Sequence, residues 1–133
     1  MDARNFLGVA AQFKNSGNEA ERRTSIGRSY YALFNVVIGT LTARGVVFRR
    51  TPDDHRTLVS YLTKARHRTA SSVGSALLSL RSERNRADYE MASMIGAKTT
   101  EFVFQKATDA SAQFDSISPA EMAEIVMQIQ SIP

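Results

Sequence analysis

Cysteine is absent from the 133 residues, which excludes a disulfide framework, thiolate zinc sites and cysteine nucleophiles. Histidine is scarce. Two imidazoles make a poor transition-metal site, so neither a metal nor another cofactor is expected. No stretch approaches the roughly 18 unbroken apolar residues of a membrane-spanning helix. The opening "MDARNFLGVAAQFK" also lacks the cationic start, apolar run and small-residue cleavage site of a signal peptide. A cytoplasmic location without membrane association is therefore expected. Proline and glycine are sparse, at three and seven, and so little punctuation favours long helices.

What the chain has in quantity is arginine, 13 of its 17 cations. Arginine's planar fork grips phosphates and carboxylates at two points. Net charge is +4, yet residues 1–90 hold 15 basic and 8 acidic side chains whereas residues 91–133 hold 2 and 5. The basic character thus belongs to the first two thirds, which suits a nucleic-acid or nucleotide partner; solvated helix faces would account for it as well.

A single domain over residues 1–133 is expected from the length. The spacing of Phe6, Leu7, Ala10 and Phe13 predicts a helix from about Asp2 to Lys14, stopped by "NSGN". Asn18 can cap a second, longer helix running to about Arg44 and ended by Gly45. Its middle, "SYYALFNVVIGTL", is apolar nearly all round, the mark of a central helix. "VVFRRT" then reads as a connector. In "TPDD", Thr51 as N-cap with Pro52 at the first position predicts a third helix reaching about Ala65 and carrying Leu58, Val59, Tyr61 and Leu62.

"RHRTASS" reads as a basic loop, after which Val73, Ala76, Leu77 and Leu80 space a fourth helix continuing through "RSERNRADYEM". A fifth places Phe102, Val103, Lys106, Ala110 and Phe114 along one stripe. Ser118, Pro119 and Glu121 make a capping box for a short terminal helix. The expected fold is all-α, an up-and-down antiparallel four-helix bundle with an additional short C-terminal helix.

One six-residue stretch, "RNRADY", concentrates the chemistry. On a helix Arg84 can pair with Asp88, and Arg81 with Asn85. Ala87 and Tyr89 are unusual choices for a purely solvated face. The second helix brings Glu19, Arg22, Arg23 and Arg28 around Tyr30 and Tyr31, whose hydroxyls need partners if buried. Arginine, asparagine and aspartate on the neighbouring helix would supply them. That arrangement can be structural without being catalytic.

Three blocks, "RRTSIGRSYYALFNVV", "DDHRTLV" and "LRSERNRADY", together resemble the HEPN superfamily (higher eukaryotes and prokaryotes nucleotide-binding), in that family's order and spacing over residues 20–92. The resemblance implies a homodimer of four-helix bundles, in many members a metal-independent endoribonuclease of toxin–antitoxin or phage-defence systems. The family's site combines an arginine, a polar residue and, four to six residues further on, a histidine. Arg84 and Asn85 match the first two, but positions 89 to 91 read Tyr, Glu and Met. Tyr89 would have to replace the histidine, and an unperturbed phenol titrates near pH 10, far from an imidazole.

The expected catalytic set is accordingly Arg84, Asn85 and Tyr89. Arg22, Arg23, Arg28, Arg81, Arg86 and His67 are expected to contact RNA, with Asp88, Tyr30, Tyr31 and His55 in support. His55 reads as a local hydrogen-bonding or interface residue and His67 as a phosphate contact in the basic loop. Family precedent also suggests a cognate nucleotidyltransferase or antitoxin as partner. The alternative is a non-catalytic interaction module in which RNRADY is a buried polar network.

Overall fold

Local capping chemistry sets most of the boundaries. Asn18, in extended conformation, accepts the backbone N–H of Glu21 at 3.2 Å and starts α2, Glu19–Ala43. Gly45 ends it at φ +93. The N–H of Gly45 donates to the Thr42 carbonyl and that of Val46 to the Leu41 carbonyl, both at 3.0 Å, which is a Schellman motif. Ser118 and Glu121 form the reciprocal capping box of α6, Pro119–Gln130, with Pro119 at its first position.

The computed structural model describes all residues 1–133. With α1 (Asn5–Phe13), α3 (Asp54–Lys64), α4 (Arg68–Tyr89) and α5 (Ala97–Asp115) there are six helices and no strand. None is long and apolar enough to cross a membrane.

Helix α2 packs against α1, α4 and α5, and α4 packs against α3 and α5. Ile26, Leu33, Val37 and Leu41 of α2 meet Val73, Leu77 and Leu80 of α4 and Val103 and Phe114 of α5 in one core. Complete burial of each large aliphatic side chain contributes about 1.5–3 kcal/mol. Contacts between their ends fix the directions. Arg23 reaches Ala87 while Tyr31 reaches Arg84, so α2 and α4 run antiparallel. Gly74 lets α3 approach α4 closely, since a Cβ there would sit 3.3 Å from that of the fully buried Leu62. Helix α6 closes the end where α4 begins, through Glu121, and buries Met122, Ile125, Val126 and Ile129.

Three expectations need correction. Thr51 does not cap α3. The helix begins at Asp54, because Arg50 at φ +57 turns the chain and the Thr51 carbonyl accepts the N–H of Asp54 at 3.0 Å. Nor is "RHRTASS" a loop. Helix α4 starts at Arg68, with the Nδ1 of His67 accepting the Ala70 N–H at 3.3 Å and its Nε2 2.7 Å from Glu121 Oε2. A carboxylate 54 residues away in sequence thus holds the ring in its capping position. In α5 the buried face is Thr100, Val103, Ala107, Ala110, Ser111 and Phe114, leaving Phe102 exposed beneath the Lys106 ammonium.

Candidate functional site

Helical spacing on the second half of α4 puts Arg81, Arg84, Asn85 and Tyr89 side by side along one surface. The guanidinium of Arg84 donates from Nη2 to the Tyr31 hydroxyl at 2.9 Å and lies 5.3 Å from the centre of that ring. Its Nε is 2.9 Å from Asp88 Oδ2. The N–H is not directed along that contact, so the pair is held by charge rather than by a formed hydrogen bond. A longer contact, 3.4 Å, runs from Nη1 to Asn85 Oδ1. Arg84 is thereby oriented while its side chain stays 21 % exposed. Arg81 makes no ion pair and no hydrogen bond. Arg86 leans 3.4 Å from Glu83.

Two adjoining hollows flank this row. One, about 580 Å³, runs along α4 past Arg81, Arg84, Arg86 and Tyr89. The other, about 500 Å³, lies between α3 and α4 and is lined by His55, Val59 and Leu78. They share Arg81, Ser82 and Asn85, and so form one continuous groove. Tyr89, the last residue of α4, is 72 % exposed at its far end.

Beneath the groove lies a pair that local sequence does not reveal. Tyr30 is 4 % and His55 5 % exposed, and the Tyr30 hydroxyl is 2.8 Å from His55 Nδ1. Phe34 stacks on the imidazole at 23°. Burial, reinforced by the nearby Arg81 charge, pushes the His55 imidazole down to about 4, and burial pushes the Tyr30 phenol up to about 12. Both are neutral near pH 7. The local hydrogen bond expected of His55 is made instead across the fold, since its partner lies 25 residues earlier in the central helix. The available signal was a tyrosine in a helix buried on most sides, in a chain with only two histidines.

The remaining arginines serve elsewhere. Arg22 donates to the carbonyls of Ile95 and Ser16, each at 2.8 Å. Arg23 donates to the carbonyls of Ala87 at 2.7 Å and Glu90 at 3.1 Å, and also to that of Ser93. The Arg23 fork closes the C-terminal end of α4, whose last carbonyls lack partners within the helix, while Arg22 ties the segments before α2 and α5 together. Arg28 lies over the Phe6 ring on the α1 side of α2. His67 stands 17 residues before Arg84 on the same helix, about 25 Å away at 1.5 Å per residue. The structure thus brings Arg81, Arg84, Asn85, Arg86 and Tyr89 to one groove, with Asp88 and Tyr31 behind them. Arg22, Arg23, Arg28 and His67 are not on it.

Chemically, the groove offers four guanidiniums (Arg56, Arg81, Arg84 and Arg86), an amide and an exposed phenol beside the Glu90 carboxylate, which supply donors for phosphate oxygens and a ring for stacking. No cluster of three or more histidine, aspartate or glutamate side chains that could hold a metal ion forms in the structure. Compared with known proteins, the chain matches no family model, no curated protein and no solved structure.

Proposed function

We propose that this chain is a HEPN-like protein that binds single-stranded RNA as a homodimer, its α4 groove gripping the phosphodiester backbone. What carries the reading is the gathering of Arg81, Arg84 and Arg86 around Asn85 on one open surface, with Tyr89 at its end. Guanidiniums pair with phosphates without regard to sequence, and an exposed ring stacks on an unpaired base. A bundle of four main helices with the short α6 as its cap is the fold that goes with this reading. A two-fold axis near Arg84–Tyr89 would join two such grooves.

In its catalytic form the proposal is metal-independent RNA cleavage in a toxin or phage-defence setting. The 2′-oxygen attacks the phosphorus and gives its proton to solvent as the bond to the 5′-oxygen breaks. Arg84 and Asn85 stabilise the charge developing on the phosphate, and Tyr89, in place of the family's histidine, protonates the departing 5′-oxygen and regains a proton from water. A cognate antitoxin or nucleotidyltransferase is the partner that this reading implies. The test is a labelled single-stranded RNA in EDTA with the wild-type protein and Arg84→Ala. Loss of a charge-assisted contact weakens binding about tenfold and abolishes any cleavage. Identical binding and cleavage by the two proteins would overturn it.

A second reading, a non-catalytic module, draws on the Arg84 contacts to Tyr31 and Asp88, which tie α4 to α2. Because Arg84 and Asp88 are only partly buried, the tie contributes about 1 kcal/mol rather than the cost of a broken interior ion pair. A fall of a few degrees in melting temperature on Arg84→Ala, the shift that about 1 kcal/mol produces, with RNA binding absent from both proteins, would favour it.

A further inference from the structure

His55 poses a problem of hydrogen-bond accounting. The imidazole is almost wholly buried, Nδ1 is taken by Tyr30, and Nε2 has no partner. The buried Tyr30 hydroxyl has His55 as its only partner, so its proton has one acceptor to reach, Nδ1. Nδ1 is then the lone-pair nitrogen and Nε2 carries the hydrogen. A buried donor left without an acceptor is costly and calls for an explanation.

The surroundings supply one. Tyr30 takes Nδ1 from the α2 side, and the ring of His55 borders the hollow between α3 and α4. Nε2 itself has less than 1 Å² open to solvent, so a ligand in the hollow reaches it only when the side chains over it shift. None of the eight residues lining that hollow is a carboxylate. Arg56 and Arg81 bring two guanidiniums free of ion pairs, and Ser60, Ser82 and Asn85 bring further donors. A neutral imidazole in a hollow lined by two guanidiniums is matched to an anion with several acceptor oxygens.

We propose that the hollow between α3 and α4 is a phosphate-binding subsite, with His55 Nε2–H and the Asn85 amide donating to the phosphate oxygens and Arg81 supplying the countercharge. Val59 and Leu78 add apolar surface to its walls. The subsite does not depend on the RNA reading, because any phosphate group, free, on a nucleotide or within a strand, presents the same oxygens. The Tyr30–His55 bond sets its polarity: Tyr30 is a positioning residue that fixes which imidazole nitrogen faces the ligand.

The test is the long-range proton–nitrogen NMR spectrum of the ¹⁵N-labelled chain at neutral pH, titrated with inorganic phosphate and separately with single-stranded oligouridylate. In the free protein the expected pattern is a protonated Nε2 and an unprotonated Nδ1. A saturable shift of the Nε2 resonance by both probes marks a general phosphate site; a shift by oligouridylate alone marks the phosphodiester as the source. Arg81→Gln weakens the titration about tenfold, whereas Arg68→Gln, which removes an equal charge from the start of α4, leaves it unchanged. Tyr30→Phe frees the tautomer and moves a fraction of the proton to Nδ1.

The proposal is overturned by a proton on Nδ1 in the wild-type protein, by His55 resonances that neither probe moves, or by equal effects of the two arginine variants. RNA binding that persists while His55 stays silent defeats the subsite alone. A phosphate response without RNA binding defeats the RNA reading alone.

Discussion

Arg84 Nη2 donates to the hydroxyl of Tyr31 at 2.9 Å, across the antiparallel seam between α4 and α2. The contact orients a guanidinium that would otherwise sample many rotamers above the groove, while leaving part of it open to a ligand. Tyr31→Phe keeps the ring beneath Arg84 and removes only the acceptor. The expected outcome is RNA affinity lowered about threefold to tenfold, with stability reduced by about 1 kcal/mol. Binding isotherms and thermal melts on the same preparations check both parts.

The Tyr30–His55 pair makes stability depend on pH in two windows. His55 in the folded chain is held at about 4 against an ordinary 6.5, so the unfolded chain takes up the proton first as pH falls. Its contribution is complete above pH 6.5 and is lost progressively between pH 6.5 and 4, on the order of 3 kcal/mol at most. Tyr30, held at about 12, contributes in the opposite sense, fully below pH 10 and less as pH rises above it. Urea unfolding of wild type and His55→Gln between pH 4 and 7 is the check, and the variant is expected to show the flatter dependence.

Tyr89 separates binding from chemistry. Tyr89→Phe retains the ring and removes the acidic proton, so RNA affinity is expected to hold while cleavage is abolished. Tyr89→Ala also removes the stacking surface, a loss of about 1–3 kcal/mol for a stacked base. Since Tyr89 is 72 % exposed, neither change is expected to alter the melting temperature. Parallel binding, cleavage and melting measurements on the two variants test this.

Salt dependence counts the phosphate contacts. Each arginine paired with a single-strand phosphate adds about 0.7 to the slope of log affinity against log salt. Arg81, Arg84 and Arg86 together give a slope near −2 from roughly three contacts. Replacing any one by glutamine is expected to lower the slope by about 0.7, whereas Arg28→Gln, which removes the cation over Phe6, leaves it unchanged. Titrations between 50 and 300 mM salt, values chosen to be spread around about 0.15 M ionic strength, resolve the difference.

The helix boundaries carry their own test. Gly45 sits at φ +93, a conformation that costs a side-chain-bearing residue about 1–2 kcal/mol, and Gly45→Ala is expected to lose about that much. Ser118→Ala removes the capping oxygen of α6 at a cost of about 1 kcal/mol. Leu33→Ala, in the fully buried centre of α2, costs about 2–5 kcal/mol. Equilibrium unfolding in urea ranks the three.

Much of this architecture was legible because it is local. Asn18, Gly45 and Ser118 act on backbone groups within a few residues, and Val73, Ala76, Leu77 and Leu80 bury the α4 face that their spacing announces. The alignment of Arg84, Asn85 and Tyr89 along one surface likewise follows from helical geometry alone. The misreadings share the opposite property. His67 becomes a cap because Glu121 reaches it from α6, and Thr51 fails as one because Arg50 turns the chain first. Arg22 and Arg23 look like free cations until the carbonyls closing α4 and its following loop arrive beside them.

By itself, then, the sequence determined an all-helical chain, its principal caps and the face on which the arginines of α4 stand, since periodicity and capping involve neighbours the chain cannot avoid. Only the tertiary structure decided that Tyr30 belongs to His55, that Tyr31 belongs to Arg84, and that α3 and α4 enclose a hollow between them. A buried polar group takes whatever partner packing leaves within about 3 Å, and that choice is made by helices meeting across the core.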